Sequence, residues 1–462
     1  MKRNLFLSSI LISFLAGNIN AQYTSTPVED YSSEEPHSVL PADGILPYLP
    51  DDSTYFNGEI NTSAGRVRFQ PLAYFFFRPE TTSNYKEAGL PEDKGHLNFY
   101  LRGDFGGRLS LPKNIDLVAN LHSYGVYTRS LGPLDPNLSL YEAYVDMKRL
   151  DRAGKMSVRF GRMCLGKYGT EILVGDDDFG RGRSFESLRY RYQTDRWTSD
   201  VMWVQLYQEA PDSAGLDWNH PIFLGNFNTF KISDGLNVDA NLVYIIDQYN
   251  SGYRTSVFMP NVRLFGHSGN IRYSAEAIYQ TGVARGVIED DKLGNVNAYA
   301  GEVSAGYFSD GEKVSFDIAY YRGSGDEDLT DTDLKSYNVL WQNEHRRFGY
   351  IDAFKGSNVQ AGTFHFNWRV GRLVDTGIHG VFAQVLESKD RSPGIATVNL
   401  NTITTENKTI GYGGDWYLNY YFNHYLNMQF SASVFKPGEY FTAANGIDKT
   451  MMRMYLMLAA KI

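Results

Sequence analysis

From about residue 60 onward, apolar and polar residues alternate one by one, and that rhythm leaves few folds open. In LNMQFSASV, Leu426, Met428, Phe430, Ala432 and Val434 oppose Asn427, Gln429, Ser431 and Ser433, because successive side chains of a strand point to opposite faces. The pattern recurs in HLNFYLRGDF, where Leu97, Phe99, Leu101, Gly103 and Phe105 oppose Asn98, Tyr100, Arg102 and Asp104. In LNVDANLVYII, Leu236, Val238, Ala240, Leu242, Tyr244 and Ile246 oppose Asn237, Asp239 and Asn241. In NIRYSAEAIYQ, Ile271, Tyr273, Ala275, Ala277 and Tyr279 oppose Arg272, Ser274, Glu276 and Gln280. The last segment keeps the beat through Met452, Met454, Leu456, Leu458, Ala460 and Ile462. The whole pattern predicts about 18 strands, an even number and an ordinary size for a bacterial membrane barrel.

The connections between these segments sort by length. Short turns are predicted at 148–155, 193–196, 232–235, 266–269, 309–312 and 422–424, with longer segments at about 163–182, 209–220, 281–295, 323–357, 387–408 and 435–449. An up-and-down barrel in an outer membrane places short turns on its periplasmic side and long loops outside. A soluble sandwich or propeller has no reason to sort connections by side. Inside a bilayer no strand can leave backbone groups unpaired, so such a sheet must close on itself. The predicted class is therefore all-β, a transmembrane up-and-down antiparallel barrel.

The N-terminus fits that destination. Residues 1–21 carry Lys2 and Arg3, then an apolar run from Leu5 to Leu15 too short to span a bilayer, and small residues before Gln22. This is the layout of a cleaved secretory signal. Residues 22–60 are polar, acidic and proline-rich, and read as a flexible arm. No linker-like stretch interrupts 61–462, so the remainder reads as one barrel. Loss of Lys2 and Arg3 takes the formal charge from −9 to −11, and an acidic chain without a basic tail is a poor nucleic-acid binder. Cys164 is the only cysteine, which excludes a disulfide framework and a cysteine-based zinc site.

The inner face carries cations. In RGRSFESLRYRY, Arg181, Arg183, Arg189 and Arg191 share one parity, whereas Leu188, Tyr190 and Tyr192 share the other and are predicted to meet lipid. By the parity of their own segments, Arg66, Arg68, Arg78, Arg102, Arg272, Arg369 and Arg453 are also predicted to point inward. Guanidiniums along a channel attract anions, and their planar forks suit carboxylate or phosphate. The plainer alternative pairs them with inner-face acids such as Asp104, Glu142, Glu276 and Asp317. Two acidic runs, at 175–180 with Asp176, Asp177 and Asp178, and at 323–333 with Asp326 and Asp328, invite either a loop gate or calcium. Neither has EF-hand spacing, and a solvated loop accounts for both. The nine histidines are scattered, and no HExxH, GxSxG or P-loop pattern occurs, so no enzyme and no cofactor is expected.

Several segments in order resemble the alginate-export family of outer-membrane barrels. They are LYEAYVDM (140–147), VRFGRMCLGKYG (158–169), GRSFESLRYRY (182–192), YRGSGDEDLTDTDLKSYNVLWQNEHRRFGYIDAF (321–354), GYGGDWYLNYYF (411–422) and FKPGEYF (435–441). The resemblance implies an 18-stranded monomeric barrel with an arginine-lined, electropositive lumen that passes a polyuronate in the best-known members. Arg183 and Arg189 match the family's arginine-rich stretch, and Arg162 the arginine of its upstream GRQ, with Met163 in place of the glutamine. The long plug between strands 16 and 17 of the alginate secretion channel has no counterpart here, since that connection is only FNH. The last residue is Ile462 rather than an aromatic.

The resulting expectation is a bacterial outer-membrane channel, inserted by the barrel-assembly machinery and surrounded by outer-membrane lipid. It would pass anionic oligosaccharides or other small anions by diffusion, with the loops at 163–182 and 323–357 narrowing the mouth. The alternative is a plugged barrel that binds partners through its extracellular loops.

Overall fold

The computed structural model describes residues 58–62, 65–84, 96–128, 132–133, 137–165, 168, 172, 174, 183–205, 222–247, 255–285, 293–328, 331–340, 344–390, 405–423 and 425–461. The signal segment, most of the polar arm, Asp176, Asp177, Asp178, Arg181 and Ile462 lie outside these.

The alternating segments form one antiparallel sheet closed into an 18-stranded barrel. The strands are β1 (Gly65–Ser83), β2 (His96–Leu111), β3 (Ile115–Thr128), β4 (Asn137–Met147), β5 (Met156–Met163) and β6 (Phe185–Gln193). Next come β7 (Trp197–Gln205), β8 (Ile222–Ser233), β9 (Leu236–Asp247), β10 (Thr255–Ser268), β11 (Ile271–Arg285) and β12 (Leu293–Phe308). The circuit ends with β13 (Val314–Gly323), β14 (Val359–Arg369), β15 (Val374–Val385), β16 (Thr409–Tyr421), β17 (Leu426–Pro437) and β18 (Met451–Lys461). Each pairs with its sequence neighbour, and β18 pairs with β1 from Tyr74↔Lys461 to Ser83↔Met452. Closure leaves no edge of unpaired backbone for lipid to meet. Two short segments add to it: Gly58–Thr62 extends the ladder of β1, so strand pairing begins inside the expected arm, and Gly132–Pro133 pairs with β3.

The parity read from sequence holds. Leu101, Phe105, Phe160, Leu188, Ile318, Phe364 and Phe382 stand exposed on the outer surface, while Asn98, Arg102, Asp104, Glu276, Asp317 and Arg453 are buried inside. Periplasmic turns are tight; between β2 and β3 only Pro112, Lys113 and Asn114 intervene, the last two with positive φ. The opposite end carries the long connections, including 164–184, 206–221, 324–358, 386–408 and 438–450. The segment predicted as a long loop at 281–295 is shorter, because β11 and β12 extend into it and pair as far as Arg285↔Leu293.

The inner face is not uniformly polar. On β9 the inward series changes from Asp239 and Asn241 to Val243 and Ile245; on β12, going outward, from Glu302 to Ala300, Ala298 and Val296; and on β17 from Ser431 and Ser433 to Phe435. The apolar zone lies in the extracellular half. Leu165, Ile172, Val174, Tyr337, Phe348, Ile351, Phe354, Tyr440 and Phe441 from the loops pack into it as one cluster. Full burial of such side chains is worth about 1.5–3 kcal/mol apiece, which draws the loops into the barrel instead of leaving them in water.

Candidate functional site

The connection 324–358 is the main object inside the lumen. Its first part runs along the free upper edge of β12, with Leu334 bonded to Asn295 and Asn297 through the backbone. Asn338 then exchanges two hydrogen bonds with the Gln280 side chain of β11, at 2.8 and 2.9 Å. A short helix, α1 (Glu344–Phe348), carries Arg347 into an ion pair with Glu302 of β12. Phe348 meets Tyr321 edge-on at 5.3 Å. The chain then crosses to the far wall, where the Tyr350 amide donates to Asp415 of β16 (3.2 Å) and its ring packs between Tyr417 and Tyr455. Gly349 permits this approach: its φ is +95°, and a Cβ there would lie 2.6 Å from Asp415 Oδ2. Arg453 of β18 holds the crossing in place by donating to Tyr350 O (2.5 Å), Asp352 (2.7 Å) and Glu80 (3.0 Å). The loop thus occupies the β11–β18 side of the lumen.

The wall formed by β4 to β7 carries the cation cluster. In-register pairing sets Asp146, Arg159 and Arg189 side by side on β4, β5 and β6, and sets Ser157, Arg191 and Asp200 on β5, β6 and β7. Arg159 bonds Asp146 at 2.7 Å, and Arg191 grips both oxygens of Asp200 at 2.7 and 2.6 Å. Tyr168, from the connection after β5, stacks on Phe227 at 3.7 Å and donates to Asp200 at 2.9 Å. Arg189 stands directly opposite Arg159, and among the described residues no carboxylate lies within ion-pair distance of it and its Nε has no hydrogen-bond partner. Like charges paired across a ladder repel. Glu142 of β4 also acts on Arg159, so charges across the cluster nearly balance. Arg189, partly withdrawn from water, is the guanidinium in it that lacks a carboxylate at ion-pair distance among the described residues, a position an anion could complete.

On the adjoining wall charges are matched. Arg78 lies over the Tyr100 ring at 4.2 Å and beside Glu80, 3.3 Å away. Arg102 bonds Asp104 at 2.8 Å between the rings of Tyr74 and Tyr141, and His122 also reaches Asp104.

The arginines singled out in the sequence therefore do not make one continuous row. Arg189 and Arg191 belong to the cluster, and Arg102 to a matched pair. Arg453 anchors the loop. Arg183 lies just before β6, outside the strand. Arg66, Arg68, Arg272 and Arg369 sit toward the periplasmic rim, where Arg272 pairs with Glu312 of the β12–β13 turn. Arg162 faces outward, as its parity indicates, and pairs with Glu186 at 2.7 Å. Of the acids expected to neutralise arginine, Asp104 does so and Glu142 acts on Arg159; Asp317 contacts His365, and Glu276 accepts from Asn261 among its contacts. Asp326 is buried and accepts the backbone amides of Asp328 and Lys335, shaping the loop's first turn. Among the described residues no group of three or more His, Cys, Asp or Glu side chains is placed to hold a metal. Arg159, Arg347 and Tyr168 went unnoticed in the sequence. Arg159 was findable, since it alternates with Val158 and Phe160 in the same phase as Arg189.

The loop anchor carries a pH dependence. Burial raises the Asp352 carboxyl, but His345 and Arg453 beside it outweigh burial and hold it down at about 2. A carboxylate depressed below its unfolded value of about 3.9 lends stability above that value and loses it as pH falls toward the folded one. Residues 344–354 are thus expected to stay protected from hydrogen exchange at pH 4 and above, and to open between about pH 4 and 2. Equal protection at pH 5 and pH 2, after correction for intrinsic rates, would contradict this.

A family model described as alginate export matches residues 130–454. Among solved structures, Pseudomonas aeruginosa OpdQ superposes with a TM-score of 0.56 at 10% identity, covering 85% of this chain and 97% of that one. Acinetobacter baumannii OccAB1 gives 0.54 at 12% identity, covering 85% and 97%. Pseudomonas aeruginosa OccD3 (OpdP) gives 0.56 at 10%, covering 88% and 93%. At these identities the likeness is one of fold. No curated protein matches the chain.

Proposed function

The chain belongs to the alginate-export family, as an outer-membrane, porin-like barrel, and on that footing we propose that it is a diffusion channel for acidic saccharides or other small anions. The observation that carries this reading is Arg189, the guanidinium without a carboxylate at ion-pair distance among the described residues, set among Arg159, Arg191, Asp146 and Asp200 on the wall away from the inserted loop. A solute carboxylate entering there replaces lost hydration with fixed donors, and the neighbouring aspartates keep the arginines from holding it too tightly to leave. No bond is made or broken.

Arg189→Glu lowers the charge of the cluster by two units. In a salt gradient across a planar bilayer, the wild type is expected to show an anion-selective reversal potential, and the variant one shifted several-fold in permeability ratio toward cations. Arg189→Lys should stay close to wild type. An unchanged reversal potential in Arg189→Glu would remove Arg189 from the conduction path.

One observation favours a second reading. The apolar filling of the extracellular half by the loops is what a closed barrel that binds partners at its surface would need. The same recordings separate the two, because a barrel sealed by its loops gives no conductance steps.

A further inference from the structure

The outer surface of the barrel is apolar at mid-height, with Val303, Ile318, Phe364 and Ile378 all exposed. Toward the extracellular ends of β9 to β15 it changes into a belt of polar side chains bonded to one another. Tyr244 and Ser256 share a hydrogen bond of 2.7 Å, and Tyr279 donates to Asn297 at 2.7 Å. Arg322 Nε donates to the Tyr299 hydroxyl at 3.2 Å. Tyr320 donates to Gln360 at 3.0 Å, which donates in turn to Gln384 at 3.1 Å. Register places Arg322, Gln360 and Gln384 side by side on β13, β14 and β15, and Tyr279 beside Tyr299 on β11 and β12. Tyrosine collects where hydrocarbon gives way to headgroups, so the belt marks the outer boundary of the bilayer.

Arg322 is the exception within it. Arg162, another outward-facing arginine near this rim, is neutralised by Glu186. Among the described residues no carboxylate lies within ion-pair distance of Arg322, and its side chain is exposed on the lipid side. A guanidinium at the edge of hydrocarbon is partly desolvated and needs an anion, and its fork fits phosphate with two parallel bonds. In a membrane this surface faces the lipid headgroups.

We propose that Arg322, framed by Tyr299 and Tyr320, binds the phosphate of an anionic outer-leaflet lipid. The site is separate from the lumen and does not depend on what the channel conducts. It is tested by native mass spectrometry of the folded barrel released from detergent with three lipids: diphosphorylated lipid A, the same lipid dephosphorylated, and phosphatidylglycerol. Arg322→Gln is expected to weaken the diphosphorylated lipid A adduct about fivefold, the effect of one cation at a membrane surface, and Arg322→Lys to retain most of it. Dephosphorylated lipid A should bind wild type and Arg322→Gln alike. A parallel loss on phosphatidylglycerol would show that the site reads phosphate on any lipid, and no loss there that it reads lipid A phosphate alone. Equal lipid A adducts in wild type and Arg322→Gln, with both barrels migrating as folded species on unheated gels, would overturn the proposal.

Discussion

Arg453→Ala is expected to destabilise the folded barrel by about 3–5 kcal/mol, the cost of breaking a buried ion pair by removing one partner. Arg453 is buried and bonds three acceptors at once: Glu80 on β1, Asp352 in the inserted loop, and the carbonyl of Tyr350. It therefore joins the closing seam of the barrel to the object inside it. Among the described residues, truncation leaves buried Glu80 with Arg78 at 3.3 Å and Asp352 with His345 as their remaining ionic partners. Arg453→Lys should recover part of the loss, because an ammonium restores the charge but not three diverging bonds. Urea unfolding of the refolded protein in lipid vesicles, followed by tryptophan fluorescence, measures the difference. A change below about 1 kcal/mol would mean that the loop's apolar contacts hold it without this anchor. The same variant is expected to raise current noise, since the residues it frees cross the lumen.

The strand architecture was legible because one physical signal specifies it: the two-residue period sorts Leu101 from Arg102 and Leu188 from Arg189 whatever surrounds them. What that signal cannot carry is the identity of the inner environment. Val243 and Ile245 continue the inward phase of Asp239 and Asn241, yet they face packed loop and not water, and alternation is weakest where both faces are apolar. The inserted loop did leave a trace. Tyr337, Val339, Leu340, Phe348, Tyr350, Ile351 and Phe354 are too many apolar residues for a segment left in solvent, although the acidic run at 323–333 beside them gives the segment a solvated look. The cation cluster was half legible. Parity put Arg189 and Arg191 inside, but which aspartate neutralises which arginine depends on the registers of β4 to β7, and those are set by turns and by one close approach. Gly161, at φ +125°, sits where a Cβ would come within 2.3 Å of the Ala143 carbonyl, so β4 and β5 meet tightly there, next to Arg162, and the register that brings Arg159 to Asp146 follows.

Ile318→Arg is expected to cost about 2–4 kcal/mol in a bilayer, the penalty for a cation at the midplane of a barrel's lipid face. Ile318 lies near the middle of β13 and is 51% exposed on the outer surface, between Phe316 and Tyr320. Four residues further along the same face stands a native arginine, Arg322, which the fold tolerates because the penalty falls to about 0–1 kcal/mol near the interface. One strand thus contains both ends of a depth scale, and Tyr320→Arg should fall between them. The measurement is unfolding in lipid vesicles of defined thickness: if hydrocarbon surrounds this face, the cost of Ile318→Arg should shrink as the bilayer thins and the interface moves toward residue 318. On a water-exposed sheet the substitution would be neutral, since an exposed isoleucine has no contacts to lose and an arginine hydrates freely. A cost near zero, independent of lipid, would therefore count against the outward face meeting hydrocarbon, and with it against the assignment of Arg159, Arg189 and Arg191 to a conducting lumen.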